Sequence, residues 1–307
     1  MKVTGKIMSM KEAIEKYVPD GSSVAMSTFM EQLIVFAAAH ELIRQRKKNL
    51  TLIGPISDIL FDQVIGAGCV SEVKAAWVGN VMMGSAYQFR RAVEEGIPNA
   101  INLIDYSNLT MALALHAAAL GVPFLPTHST LGSDILKENP YLTEFVSPVS
   151  DDKLVAVEAL SPDVAIIPVQ RCDEFGNAHI WGSLGISIDA AKAAKCVILI
   201  AEEVVSSEII NSDPGRTLIQ GFQVDAVVHE PMACHPSPVQ GKYNRDDEYF
   251  KEYHSETKSR TEFEDWLRKW VYGVDDRTGY MKILGNERTK NLKIKNSAPT
   301  APADFGI

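Results

Sequence analysis

Residues 163–201 read DVAIIPVQRCDEFGNAHIWGSLGISIDAAKAAKCVILIA, and this stretch decides the fold. Val164–Val169 and Cys196–Ala201 are short apolar runs rich in Val and Ile. Runs of that length and composition suit strands covered on both faces, as the inner strands of a parallel sheet are. Residues 186–195 between them carry apolar side chains at helical spacing. Strand, helix, strand in this order is the unit from which parallel sheets are built.

The same alternation holds outward from there. Towards the N-terminus, residues 109–120 predict a helix closed by Gly121 and residues 100–105 a strand. Residues 85–95 predict a helix ended by Gly96, with strands at 73–78 and 50–53 before it. Residues 31–47 carry apolar side chains at helical spacing and end in Arg44, Arg46, Lys47 and Lys48, cations that suit a helix C-terminus. Residues 23–28 predict a further strand after the turn Asp20-Gly21, and Ser9 with Glu12 forms a capping-box pattern for a helix through Tyr17. Towards the C-terminus, Tyr243 to Arg260 is dense in charge, and residues 261–272, with Trp266 and Trp270, predict a last amphipathic helix. The expected architecture is a three-layer α/β/α domain over residues 1–295 with a mostly parallel, partly mixed sheet. Residues 296–307, rich in Ala and Pro, predict a flexible tail.

Composition narrows the function classes. Thirty basic against 39 acidic side chains give a net charge of −9, which repels phosphate backbones and argues against nucleic acid as a partner. The four cysteines, Cys69, Cys172, Cys196 and Cys234, form no C-x-x-C pair and do not read as a disulfide framework. No apolar run approaches the roughly 20 residues that span a bilayer, and residues 1–14 lack the continuous apolar stretch of a signal peptide. A cytoplasmic protein without a membrane partner is expected. His229, Cys234 and His235 match no zinc spacing, so no metal is expected, and neither a P-loop nor a nucleophile elbow is present.

Several constellations lie where open α/β sheets place ligands, beyond strand ends. The first predicted strand ends at Ser27-Thr28-Phe29; the segment is either a plain connection or a source of N–H groups for an oxyanion. Gly79-Asn80 follows the strand at 73–78. Gly132-Ser133-Asp134 reads as a turn with a helix cap, and Gly176-Asn177 as a turn between strands ahead of Trp181-Gly182. Glu202-Glu203 directly follows Cys196–Ala201, where either a catalytic acid or the first turn of a helix belongs. Asp105 ends its own strand and reads as a cap or a strand-end acid. His116, on a largely apolar helix, reads as a core histidine.

In their order, SMKEAIEKYVPDG near the start, HAAALGVPFLP at 116–126, DVAIIPVQ from Asp163, IWGS from Ile180, AAKCVILIAEEVVSSEII from Ala193 and VDAVVHEPMACHPS from Val224 resemble the A-type (alpha) subunit of family I CoA-transferases, glutaconate CoA-transferase above all. The resemblance implies the CoA-transferase (NagB/RpiA-like) fold and an active site shared with a B-type subunit in a heterodimer or larger assembly. It implies acyl-CoA as substrate with no further cofactor, and a glutamate nucleophile on the B-type partner, so Glu202 and Glu203 are not expected to fill that role. The glycine-rich segment of the alpha subunit would hold the developing oxyanion. Here the chain departs from the pattern: Ser27-Thr28-Phe29 stands for Gly-Gly-Phe, and Leu33 and Val35 stand for a later Gly or Arg and a Pro. Expected substrate contacts are Ser27, Thr28, Phe29, Gly79, Asn80, Gly132, Ser133 and Asn177. Two other readings stay open. One is a related hydrolase that cleaves carbon–carbon bonds in cyclic diketone CoA esters, with Asp105 as its acid; the other is a scaffold chain that only completes its partner's pocket.

Overall fold

The computed structural model describes residues 5–26 and 31–294. Helix α1 (Met10–Tyr17) starts at the predicted capping box, with the Ser9 hydroxyl accepting from the Glu12 N–H and the Glu12 carboxylate accepting from the Ser9 N–H. Strands β1 (Ser23–Ala25), β2 (Leu50–Ile53), β3 (Val70–Ala75) and β4 (Asn102–Asp105) then alternate with α2 (Phe36–Arg44), α3 (Ile59–Gly66) and α4 (Tyr87–Glu95). Helix α5 (Asn108–Leu120) leads to an antiparallel excursion, β5 (Phe124–Thr127), α6 (Asp134–Glu138), β6 (Leu142–Val146) and β7 (Lys153–Glu158). The chain returns to the main sheet as β8 (Val164–Val169). It then forms the short strands β9 (Arg171–Cys172) and β10 (Ala178–His179), followed by α7 (Ser187–Ala193) and β11 (Cys196–Ala201). Helix α8 (Ser207–Asn211), β12 (Thr217–Ile219) and β13 (Ala226–His229) precede a long connection to α9 (Asp247–Glu256). Helix α10 (Arg260–Leu267) runs on into a π-helical turn, Arg268–Tyr272, before α11 (Arg277–Leu284) and α12 (Asn286–Leu292).

Seven strands form the main sheet in the order β13-β11-β8-β1-β2-β3-β4. Every pairing within it is parallel. The antiparallel strands stand apart in two three-stranded sheets, β12-β10-β9 and β5-β7-β6. Successive side chains of the inner strands point to opposite sides, and each side is covered by its own layer of helices. Val164 and Ile166 of β8 join one core cluster, with α1, α2, α3 and the C-terminal helices. Ala165, Ile167 and Val169 join the other, with α5 and α7.

The structure moves some expected boundaries. Residues 31–35 do not join α2: Leu33 takes φ 53°, a left-handed conformation that breaks the run. Strand β3 lies three residues ahead of the expected 73–78, since Val70, Val73 and Ala75 are its buried apolar positions. Two helices follow the one expected to be last. The expected tail, 296–307, lies outside the described residues. His116 is not in the core: its ring is exposed on α5 and lies 3.0 Å from the Asp189 carboxylate of α7. The alanines around it bury their own face without it. Among the described residues no helix is long and apolar enough to cross a membrane.

Candidate active site at the strand ends

The chain reverses its strand order between β1 and β8: it runs outward through β2, β3 and β4, then returns to β1 and builds the other half through β8, β11 and β13. In doubly wound sheets the crevice outside the C-terminal ends at such a reversal is the usual ligand site. Here residues 230–246, the connection after β13, are strapped across those ends and tied to four strands in turn. Glu202, just past β11, accepts from the Met232 N–H at 2.8 Å and from the Tyr243 hydroxyl at 2.7 Å. Gln170, just past β8 and fully buried, donates to the Gln240 carbonyl at 3.3 Å. Beyond β1, the Leu33 N–H donates to the Pro238 carbonyl and the Ser237 hydroxyl to the Glu31 carbonyl. Beyond β2, Arg245 donates to the Asp58 carboxylate at 2.8 Å.

The strap is anchored from behind. Neutral His235 sits between the Tyr280 hydroxyl and the Asp246 carboxylate, both at 2.8 Å, and burial pushes its pKa down to about 4. Arg288 grips both Asp246 oxygens, at 2.6 and 2.9 Å. Desolvation works against that carboxylate's charge, but the bonds from His235 and Arg288 outweigh it and hold Asp246 far below the usual range. Arg277 donates to the Met232 and His235 carbonyls.

Gln170 does more than hold the strap. Its amide also brackets residue 181, accepting from the Trp181 N–H at 3.2 Å and donating to the Trp181 carbonyl at 2.9 Å. Gly182 follows at φ 91°, and a Cβ there would collide with the Gln240 side-chain amide. The close backbone approach that Trp181-Gly182 implies in the sequence is therefore an approach to the strap.

Ser27, Thr28 and Phe29 lie outside the described residues, between the end of β1 and Glu31. Gly79-Asn80 begins a tight loop beyond β3. The Asn80 side chain is spent inside the fold, donating to the Phe250 carbonyl at 3.0 Å and accepting from the Met82 and Met83 N–H groups. Trp77 ahead of that loop and Met82 and Met83 within it face outward, each about two-fifths exposed. Asp105 ends β4 with an exposed side chain, and its carbonyl accepts from Asn139 at 2.8 Å. Gly132 (φ 76°) and Ser133 lie in the loop that leads towards Asn139, and the Ser133 hydroxyl donates to the Thr130 carbonyl instead of capping α6. Gly79, Asn80 and Asp105 thus share the β3–β4 side of the edge, and α6, which follows Gly132-Ser133, packs against β4. Asn177 lies apart: its amide bonds the Asp173 carboxylate and accepts from the Gly221 N–H, in the approach to β13.

Three acids at this edge are engaged, whereas the Asp105 side chain is exposed and Glu230, just past β13, is pushed up to about 7 by burial. Glu202 has both oxygens bonded, and burial raises its pKa although Tyr243 and Met232 pull the other way. Glu203 is half exposed and paired with Lys242. Asp58, fully buried, is pushed up to about 6 by desolvation, which outweighs the opposing Arg245. Gln170, Asp58, Arg245 and the strap went unread in the sequence; the only local signal was a buried-strand run ending in the polar amide of Gln170.

Comparison with known proteins agrees with this geometry. Residues 7–230 match the family model described as Coenzyme A transferase, and the chain belongs to that family. It is 36% identical over 271 residues to the A-type subunit of 3-oxoadipate CoA-transferase from Pseudomonas knackmussii, covering 88% of this chain and 95% of that one. The A-type subunit of glutaconate CoA-transferase from Acidaminococcus fermentans is 34% identical, with 94% of this chain and 95% of that one covered. The crystal structure of glutaconate coenzyme A-transferase from that organism superposes with a TM-score of 0.88 over 94% of this chain and 96% of that one, at 33% identity. At 29% identity over 287 residues, a cholesterol ring-cleaving hydrolase IpdA subunit of Rhodococcus jostii covers 88% of this chain and 93% of its own.

Proposed function

We propose that this chain is the alpha subunit of a heteromeric CoA-transferase and completes an active site with a B-type subunit. The observation that carries the reading is its match, across nearly the whole length, to A-type subunits of enzymes that transfer CoA. The geometry is in keeping with it: Glu202, Glu203 and Asp58 at the strand ends are taken up by internal partners, which suits a nucleophile supplied by another chain.

The reaction follows from that division. A glutamate of the B-type partner attacks the thioester carbonyl, giving a mixed anhydride and expelling CoA thiolate. The thiolate attacks the glutamyl carbonyl, forming an enzyme-bound thioester and releasing the first carboxylate. A second carboxylate reverses both steps and leaves as the new CoA ester. In both directions charge gathers on a carbonyl oxygen, and fixed N–H groups stabilise it best where water is excluded. Ser27, Thr28 and Phe29 are the proposed contacts to that oxygen. The backbone around Gly79 and Asn80, with Gly132 and Ser133, would line the acyl side. The Asn177 side chain and backbone are both committed to their own turn, the N–H donating to the Asp173 carboxylate at 2.9 Å and the carbonyl accepting from the Asp173 N–H at 3.0 Å, so Asn177 is the weakest of the expected contacts.

The test is mass-resolved product analysis of the two subunits purified together, given a panel of acyl-CoA esters with and without excess acetate. Acetate-dependent acetyl-CoA is expected. A ring-opened CoA ester formed without acetate would replace transfer by carbon–carbon hydrolysis and make Asp105 the first residue to mutate.

A further inference from the structure

Asp58 occupies the N-cap position of α3 yet does not cap it; no side-chain hydrogen bond reaches the first turn. Its backbone takes φ 48°, ψ −140°, a conformation a non-glycine residue adopts only under constraint. The carboxylate is fully buried. An uncapped helix, a strained backbone and a buried charge in one residue all work against stability, so another role keeps an aspartate there.

The contacts of the carboxylate show what it holds. One oxygen accepts from the Val81 N–H at 3.2 Å, in the loop beyond β3. The other accepts from Arg245 on the strap at 2.8 Å. The same guanidinium lies 3.6 Å from the Glu31 carboxylate, in the connection beyond β1, and 3.1 Å from Asp247. It rests on the Phe250 ring at 3.9 Å, and the Phe250 carbonyl in turn accepts from Asn80. One aspartate and one arginine therefore join the connections beyond β1, β2 and β3 to the strap.

We propose that Asp58 and Arg245 are a positioning pair for acyl transfer, fixing the strand-end connections against one another so that they meet the substrate in a single arrangement. The inference rests on placing the reaction at this edge. The pair touches no reacting atom; its loss loosens the connections, and displacements near 1 Å cost about a hundredfold in rate when reacting groups must be aligned. The groups facing the carboxylate are Arg245, the Val81 N–H and, across the guanidinium, Glu31 and Asp247. With burial holding Asp58 up at about 6, acid neutralises it and removes the main counter-ion of Arg245.

The experiment compares wild type, Asp58→Asn and Arg245→Lys in the assembled enzyme, following kcat and KM against pH together with thermal stability. We expect kcat to fall about 10- to 100-fold in each variant, with KM for acyl-CoA within about threefold. The wild-type kcat should decline below about pH 6, with that limb absent from Asp58→Asn. The double variant should be no worse than the poorer single one, because both changes break one unit. Wild-type kcat and an unchanged acid limb in Asp58→Asn overturn the inference. If Asp58→Asn does not assemble, an unaffected kcat in Arg245→Lys, or a wild-type profile without the limb, overturns it equally. A wild-type complex without acetate-dependent exchange removes the functional reading itself; an active complex with indifferent variants removes only this inference.

Discussion

Replacing Glu202 separates a staple from a catalyst, because the two roles predict opposite results. The carboxylate takes two hydrogen bonds, from the Met232 N–H at 2.8 Å and the Tyr243 hydroxyl at 2.7 Å, and so ties the strap to the end of β11. Glu202→Ala leaves two buried donors without acceptors, each costing about 1–3 kcal/mol. Part of that loss is offset, because burial already disfavours the charge that is removed. The net expectation is about 3 kcal/mol, or about 5 °C in melting temperature for a chain of this size. Glu202→Gln should be milder. Its amide oxygen accepts from Met232, but its NH2 group faces the Tyr243 hydroxyl, which also accepts from the Cys234 N–H at 3.1 Å. The hydroxyl proton is then left without an acceptor, at about 1 kcal/mol. Glu202→Gln should therefore keep CoA transfer within about threefold of wild type, since on this account the carboxylate does no chemistry. Calorimetry and acyl-CoA exchange on the assembled enzyme are the assays. A hundredfold loss of activity in Glu202→Gln with an unchanged melting temperature would refute the argument and return Glu202 to the list of catalytic acids.

Three further outcomes are expected. His235, lowered to about 4 from an ordinary 6.5, binds fewer protons folded than unfolded between those values, so its contribution to stability rises with pH across that window by about 3 kcal/mol. The stability gap between wild type and His235→Gln, from urea midpoints at pH 4 to 7, should widen in the wild type's favour; a constant gap contradicts the buried neutral imidazole. Asp105→Asn, at an exposed strand end, should change acetate-dependent exchange less than twofold, and a large loss would argue for hydrolysis. Joint Ser27→Gly and Thr28→Gly substitution, which restores the Gly-Gly-Phe pattern, should preserve or raise CoA exchange, whereas a collapse would mean that the hydroxyls take part.

The parts of the fold that were legible are those where local composition and tertiary environment agree. Leu50–Ile53, Val164–Val169 and Cys196–Ala201 are strands at the boundaries read from the sequence, because an apolar β-branched run needs burial on both faces and this sheet provides it. Helix α3 was missed for the opposite reason. Its sequence, ILFDQVIG, is buried all round, so no helical stripe shows, and its acid, Asp62, is satisfied by Tyr253 and the Phe89 N–H from distant segments. Trp77 and Val78 drew the third strand too far along, since apolar residues on a loop, Trp77 exposed and Val78 packed against the core, look like strand. The site was less legible still. Position after a strand pointed to Gly79, Asn80 and Asp105, but Asp58 meets Arg245 across 187 residues, and no local pattern announces such a partner.

The strap also bears on why activity would be divided between two chains. A doubly wound sheet offers its best crevice at the strand reversal, yet here the chain lays residues 230–246 over it and spends Glu202, Gln170 and Asp58 on holding them there. Buried polar groups committed in this way favour one arrangement, because each alternative leaves a donor or a charge without a partner at low dielectric. They are lost to chemistry for the same reason. A carboxylate that must attack a thioester has to be free, approachable and ionised, and those demands conflict with serving as a buried tie. Under the proposed division of labour a nucleophile on a second chain would escape that conflict, while this subunit keeps its strand ends tied.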